Sequence, residues 1–298
     1  MRQAVGERII CIETGRCSVG KHYLSRLEGE LSTRLLQRSA LDVRATDAGT
    51  AFYKQAQLAL RHADDAVQAA QQARLSGHVS VGMSPSTSAV LALPFMTAMR
   101  KRYPDVRLRL VENLSGNLAA MLNARQLDLA VLFDVGGAQR WSVLPLLEER
   151  LFAIGLRAMR ELRALQGASV RIAELADVPL LLPSGAHGLR AIVEAAFAHV
   201  RCEPRVVLEI DGLAVLMDAV RAGIGATIQP GASTVRLPED PVVRIEIVDR
   251  GARRLNSLAS LGDDELSPAA LAARVVLRDT AGLLVRTRKW PGATLHGK

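Results

Sequence analysis

The sequence predicts an α/β protein in which a small basic N-terminal part and one long helix precede two lobes. Three observations carry this. From His78 onward, strand-like and helix-like segments alternate, which is the grammar of a parallel sheet covered by helices. The alternation comes as two successive βαβ runs with a return strand and a last helix, so the first lobe is expected to be discontinuous. Ahead of both runs lies an Ala- and Gln-rich stretch free of Pro and Gly from Thr50 to Ser76.

The N-terminal 45 residues are basic and irregular. A helix is expected over 23–37, because Leu24, Leu27, Leu31 and Leu35 recur at spacings of three and four. Arg26, Arg34 and Arg38 would decorate it. Thr46 and Asp47 suit a helix N-cap. In the helix that follows, Phe52, Ala56, Ala59, Ala63, Ala66, Ala70 and Ala73 alternate spacings of four and three. Such a heptad seam of small residues favours pairing between chains; the alternative is a lone surface helix with an alanine face. Ser76-Gly77 would end it.

In the first run, strands are expected over 79–83, 106–112 and 127–133, with helices over 90–103 and 118–126. Pro94 should break or kink the first turn of the earlier helix. In the second run, strands are expected over 151–156, 178–182, 206–210 and 226–229, and helices over 172–176, 189–200 and 213–222. Gly223 sits where a helix C-cap glycine belongs. One more strand is expected over 242–248. Ser267-Pro268 places a cap and a first-position proline before a last helix running to about Arg288.

Of the 298 residues, 49% are hydrophobic and 23% charged, a globular composition with room for two or three domains. Lys and Arg number 38 against 30 Asp and Glu, a formal charge of +8, which suits a polyanionic partner. Cys11, Cys17 and Cys202 form neither a disulfide framework nor a zinc spacing. No segment reads as a signal peptide or reaches the roughly 18 apolar residues of a membrane span, so a cytoplasmic protein is expected. There is no G-x-S-x-G elbow, no G-x-G-x-x-G and no P-loop. Asp263-Asp264-Glu265 precedes a helix start, where acids suit the dipole, and reads as solvated. No catalytic residue, metal site or cofactor is expected.

The segments Ser25-Arg26-Leu27-Glu28-Gly29-Glu30-Leu31, Arg34-Leu35-Leu36-Gln37-Arg38-Ser39 and Thr46-Asp47-Ala48-Gly49 resemble the end of the DNA-binding domain and the start of the linker helix in LysR-type transcriptional regulators. Gly77-His78-Val79-Ser80-Val81-Gly82, Arg102-Tyr103-Pro104-Asp105-Val106, Leu127-Asp128-Leu129-Ala130-Val131 and Ala222-Gly223-Ile224-Gly225 continue the resemblance in family order. Leu27–Leu31 and Pro85-Ser86-Thr87-Ser88 are similar to the nitrogen assimilation control branch. The resemblance implies a winged helix-turn-helix over 1–45, a dimerising linker helix over 46–77 and a periplasmic-binding-protein-like effector domain over 78–298. Its first lobe would take 78–150 and 250–298, and its second 151–249. Also implied are a homodimer or homotetramer, double-stranded operator DNA, RNA polymerase and a small anionic effector as partners, and no membrane.

One departure stands out. About 45 residues precede Thr46, where the family carries about sixty, consistent with a three-helix module. Cys17–Gly20 resembles a loop, and the second helix and the front of the recognition helix are expected to be missing. The segment Ala40-Leu41-Asp42-Val43 replaces the family's basic, glycine-containing wing tip. Impaired, mainly electrostatic DNA binding is therefore expected. The candidate DNA contacts are Lys21, Ser25, Arg26, Arg34, Arg38, Arg44 and Thr46. The family's effector sites lie between the lobes, at strand ends and helix N-termini that suit anions. The matching residues are Ser84, Ser86, Thr87, Ser88, Asn113 and Phe133 on the first lobe and Ser184, His187 and Gln229 on the second. For any single serine, plain helix capping is the competing role. The competing function is a cytoplasmic two-lobed small-molecule binding protein without DNA-binding activity, which the heptad helix disfavours.

Overall fold

The computed structural model describes residues 18–38, 43–71, 75–133, 141–165, 169–185, 188–235 and 241–297. The chain forms two compact units, 1–64 and 65–298, divided within the long helix.

In the first unit, helix α1 (Ser18–Glu30) leads through a turn to β1 (Leu36–Arg38) and β2 (Val43–Ala45). The two strands are antiparallel, with Leu36 opposite Ala45 and Arg38 opposite Val43. Here the structure corrects the expected helix over 23–37. Ser32 takes a positive φ of 48°, and the Glu28 carboxylate accepts the amides of Leu35 at 2.7 Å and Leu36 at 3.0 Å. The helix therefore stops at Glu30, and Leu35, just before β1, is buried. The start is corrected too: Ser18–Gly20 is helical, not a loop.

Helix α2 (Asp47–Gln71) begins as the sequence predicts. The Thr46 hydroxyl accepts the Gly49 amide at 2.9 Å and donates to the backbone carbonyl of Arg34 at 2.8 Å, so the cap also ties α2 to the turn. A β-carbon on Gly49 would lie 1.9 Å from the Leu35 carbonyl oxygen, so only glycine permits this approach.

The second unit is built on a mixed sheet of nine strands. Strands β3 (Gly77–Met83), β4 (Val106–Glu112) and β5 (Leu129–Phe133) are parallel, joined by α3 (Pro85–Arg102) and α4 (Ser115–Asn123). Beside β5 runs antiparallel β12 (Arg253–Ser260), then β6 (Ser142–Leu156). The first half of β6 pairs with β12 and β13 (Ala293–Leu295), and its second half with β10 (Thr227–Pro230) and β11 (Val242–Ile247). One strand thus belongs to both lobes. The link from β11 to β12 is the second crossing. A separate parallel pair, β8 (Leu180–Leu182) and β9 (Val206–Glu209), lies with α6 (Gly188–His199) and α7 (Leu213–Arg221). The core divides accordingly. One cluster gathers Val81, Phe95, Leu129, Leu258, Leu277 and Trp290; another gathers Leu151, Ile172, Leu180, Phe197, Ile228 and Ile245.

Several expectations change. Helix α3 starts at Pro85 because Ser84 caps it and Pro85 takes its first position. Pro94 therefore sits mid-helix and does not end it. Strand β6 begins nine residues earlier than predicted, and β12 and β13 have no counterpart in the expected elements. The chain's return to the first lobe is made by β12, and its antiparallel pairing makes the sheet mixed. Between β6 and β8 come α5 (Arg160–Ala164), β7 (Ser169–Val170) and, in the segment 172–176, a 3₁₀ turn, Ile172–Leu175. Helix α8 (Pro268–Arg286) is capped by the Ser267 hydroxyl, as predicted, and Gly223 adopts φ 76°.

Candidate functional site

One segment of the first lobe and three of the second meet in a cleft. Its walls are Pro85 and Ser86 at the start of α3, Pro183 after β8, Ile210, Asp211, Leu213 and Leu216 around the start of α7, and Gln229 on β10. Nearby, a β-carbon on Gly188 would come within 3.0 Å of the Ser115 hydroxyl. The N-termini of α6 and α4 therefore nearly touch across the lobes.

The first turn of α3 is a chain of hydroxyls. Ser84 donates to the Thr87 hydroxyl at 3.0 Å and accepts the Thr87 amide at 3.4 Å. Ser84 and Ser86 are 3.4 Å apart. Ser84, Ser86, Thr87 and Ser88 are all buried, but only Ser86 among them lines the cleft. The Ser88 amide bonds the Ser84 carbonyl, and Pro85 has no N–H. The Ser86 amide is thus the first-turn donor not committed to the cap.

Of the other candidates, Gln229 lines the cleft, and its side chain makes no hydrogen bond to the described residues. The Asn113 carbonyl oxygen accepts from Leu114 N and Asn117 Nδ2, both at 2.8 Å. The Ser184 hydroxyl donates to Asp211 at 3.1 Å, and its amide does so at 2.8 Å. His187 lies outside the described residues.

The main feature missed in the sequence lies behind Ser86. Arg254 on β12 is buried, and its Nε donates to Glu149 Oε2 on β6 at 2.6 Å. Its Nη2 donates to Ser86 Oγ at 2.9 Å. Its guanidinium lies 3.9 Å from the centre of the Phe133 ring, a cation–π contact. Glu149 also accepts from Asn256 Nδ2 and Trp290 Nε1, both at 2.7 Å. Burial lowers the Arg254 pKa, while the adjoining Glu149 charge and hydrogen bond act against that shift. An arginine remains charged throughout. Glu148-Glu149-Arg150 and Arg253-Arg254 look solvated in the sequence, and only the antiparallel register of β6 and β12 turns one member of each run inward.

On the first unit, Ser25, Arg26, Arg34 and Arg44 are exposed. Ser25 and Arg26 lie on α1, Arg34 in the turn, and Arg44 on β2. Arg26 pairs with Glu30 at 3.1 Å. The Thr46 hydroxyl serves the α2 cap. The side chains of Lys21 and Arg38 lie outside the described residues. Along α2, Phe52 and Ala56 are half-buried, while Ala59 and Ala63 are exposed. The side chains of Ala66 and Ala70, and all of Ala73, lie outside the described residues. Among the described residues no group of side chains could hold a metal ion, and no helix is long and apolar enough to cross a membrane.

The chain is similar to known proteins over most of its length. The family model described as LysR substrate binding domain matches residues 72–282. The nitrogen assimilation regulatory protein nac of Escherichia coli (strain K12) is 34% identical over 210 residues, covering 70% of this chain and 67% of that protein. Full-length OxyR from Pseudomonas aeruginosa superposes with a TM-score of 0.70 at 22% identity, covering 89% of this chain and 87% of that one. The effector-binding domain of QuiR, solved with shikimate, gives a TM-score of 0.63 at 19% identity over 70% of this chain and 99% of that one. The helix and hairpin before the long linker, the two-lobed sheet and the matched 72–282 region converge: the chain belongs to the LysR family of transcriptional regulators, a family of gene switches and not of enzymes.

Proposed function

We propose that this regulator binds double-stranded operator DNA as a homodimer or homotetramer, in the cytoplasm and within reach of RNA polymerase, and that a small effector in the interlobe cleft biases its state. Residues 1–45 serve DNA and 46–77 the pairing of subunits. The first lobe takes 78–150 with 250–298, and the second takes 151–249. Ser25, Arg26, Arg34 and Arg44 are the exposed candidates for DNA, Lys21 and Arg38 are candidates from the sequence, and Thr46 holds the linker in place. The seam runs from Phe52 through Ala56, Ala59, Ala63, Ala66 and Ala70 to Ala73.

The effector we propose is a small carboxylate that also carries hydroxyl or amine donors. The observation that carries this reading is that Ser86 shares one cleft with Gln229 and Asp211. The start of α3 presents to an anion the uncommitted Ser86 amide and the Ser86 hydroxyl that Arg254 holds, and the second lobe adds the Gln229 amide and the Asp211 carboxylate, which also accepts from Ser184. QuiR's shikimate belongs to this chemical class. Ser84, Thr87, Ser88, Asn113 and Phe133 shape the wall behind, Ser184 flanks the second-lobe side, and His187, outside the described residues, completes the proposed set. The test is a thermal-shift screen of the full chain against hydroxylated carboxylates. A hit that Ser86→Ala and Gln229→Ala each weaken at least tenfold supports the cleft; a hit that neither weakens moves the site elsewhere.

A further inference from the structure

We propose that Arg254 is a specificity-determining positioning residue: it fixes the Ser86 hydroxyl as a donor into the cleft, so the effector group at this wall is a hydrogen-bond acceptor. The inference rests on the cleft being the effector site and adds which polarity the wall selects and which residue sets it.

A serine hydroxyl has one proton and two lone pairs, whereas a guanidinium has donors only. The 2.9 Å bond from Arg254 Nη2 to Ser86 Oγ therefore has one direction, and it occupies a lone pair of Ser86. The Ser86 proton must go elsewhere. Ser84 spends its own proton on Thr87 Oγ1 at 3.0 Å, so it can only accept from Ser86. That contact is 3.4 Å long, near the limit of a hydrogen bond and well beyond the usual O–H···O distance. Among the described residues, the alternative for the proton is the cleft that Ser86 lines. An acceptor there exchanges a long bond for a short one. A donor finds Ser86 with one lone pair spent and its proton in the way.

Arg254 can hold this polarity because it cannot turn. Glu149 fixes its Nε at 2.6 Å, and Phe133 covers its face at 3.9 Å. Glu149 is held in turn by Asn256 and Trp290. The anchor lies on β6 and β12, the strands that carry the chain into and out of the first lobe, so the wall's polarity is set by the part of the fold where the lobes join.

The experiment compares benzoate, shikimate and acetate with benzylamine on the full chain, reading affinity from amide resonances of Ser86 and Gln229. In the wild type, a carboxylate should bind at least tenfold tighter than the amine. Arg254→Lys, which still donates to Ser86, should keep that preference. Arg254→Met with Glu149→Gln, which removes the buried charges together, should reduce it below threefold with an unchanged circular dichroism spectrum. An unchanged preference in the double variant, or preference for the amine in the wild type, overturns the inference while leaving the cleft reading in place. Binding that moves neither resonance overturns both. Should the double variant fail to fold, a neutron structure of the wild type with a carboxylate bound in the cleft decides. A Ser86 deuteron directed into the cleft supports the inference, and one directed at Ser84 overturns it.

Discussion

Arg254 stands directly opposite Glu149 in the β12–β6 register, and their side chains meet at 2.6 Å with almost no surface left to solvent. Each charge is costly there without the other. Arg254→Ala or Glu149→Ala alone should lower the unfolding free energy by about 3–5 kcal/mol, the usual penalty for stranding one member of a buried pair. Arg254→Met with Glu149→Gln should cost clearly less than the sum of the single losses. Urea denaturation of the four proteins measures this. Single losses under about 1 kcal/mol, a value typical of exposed pairs, would mean that water reaches the pair.

Elements with a local signal were legible in the sequence. Ser267-Pro268, Thr46-Asp47, Gly223 and the β3–β5 run are marked by capping chemistry or hydrophobic period, and the structure places them where expected. The misses share a physical cause. Strand β12 reads Arg-Arg-Leu-Asn-Ser-Leu-Ala-Ser, too polar to look like a strand until Glu149 is known to neutralise Arg254 at long range. Strand β6 was readable only in its apolar second half. In α1, the leucine period ran on to Leu35, while the chain turned at Ser32 because Glu28 could reach the next two free amides. For the site, the serines before α3 were visible as a group, but which of them faces the cleft depends on the lobe opposite.

Glu28 holds that turn. Its replacement by alanine leaves the Leu35 and Leu36 amides without their acceptor. Hydrogen bonds to a charged group contribute about 1.5–3 kcal/mol, so Glu28→Ala should destabilise the hairpin by about that amount. Amide exchange at Leu35 and Leu36 should quicken at least tenfold, while exchange in β3 stays unchanged. Unchanged protection at both amides would rule out this role.

At the entry to α8, a hydrogen bond from Arg274 holds the Asp263 carboxyl below its ordinary value. A carboxyl depressed by folding adds stability above its unfolded pKa and loses it as pH falls through the folded value. Asp263→Asn should therefore flatten the acid side of the stability profile slightly and leave the neutral side's slope alone. The pair is exposed, so added salt should shrink the difference. Thermal melts across the acid range check the sign; a variant that loses more stability on acidification than the wild type contradicts it.

If the linker pairs subunits through its alanine seam, like charges there should separate them. Ala59→Glu with Ala63→Glu changes two exposed positions one turn apart. Like charges placed there oppose each other across a close helix pair. Sedimentation at low micromolar concentration should show the wild type as an oligomer and the double variant shifted to monomer. An oligomer that survives would place the interface elsewhere.

The sequence alone leads to an expectation of impaired, mainly electrostatic DNA binding; the earlier start of α1 instead favours a regulator that reads operator sequence. Residues Ser18–Gly20 extend α1 by a turn toward its start, and the exposed arginines can supply phosphate contacts whose affinity falls with salt. The direct measurement is selection of duplexes bound by the full chain from a random library, followed by anisotropy titration of the selected and scrambled duplexes at rising salt. An enriched motif with two related half-sites, bound more tightly than scrambled DNA at physiological salt, is the expected result. Affinity should fall steeply with salt and drop with Arg26→Ala. No enriched motif, with equal affinity for selected and scrambled DNA, would contradict it.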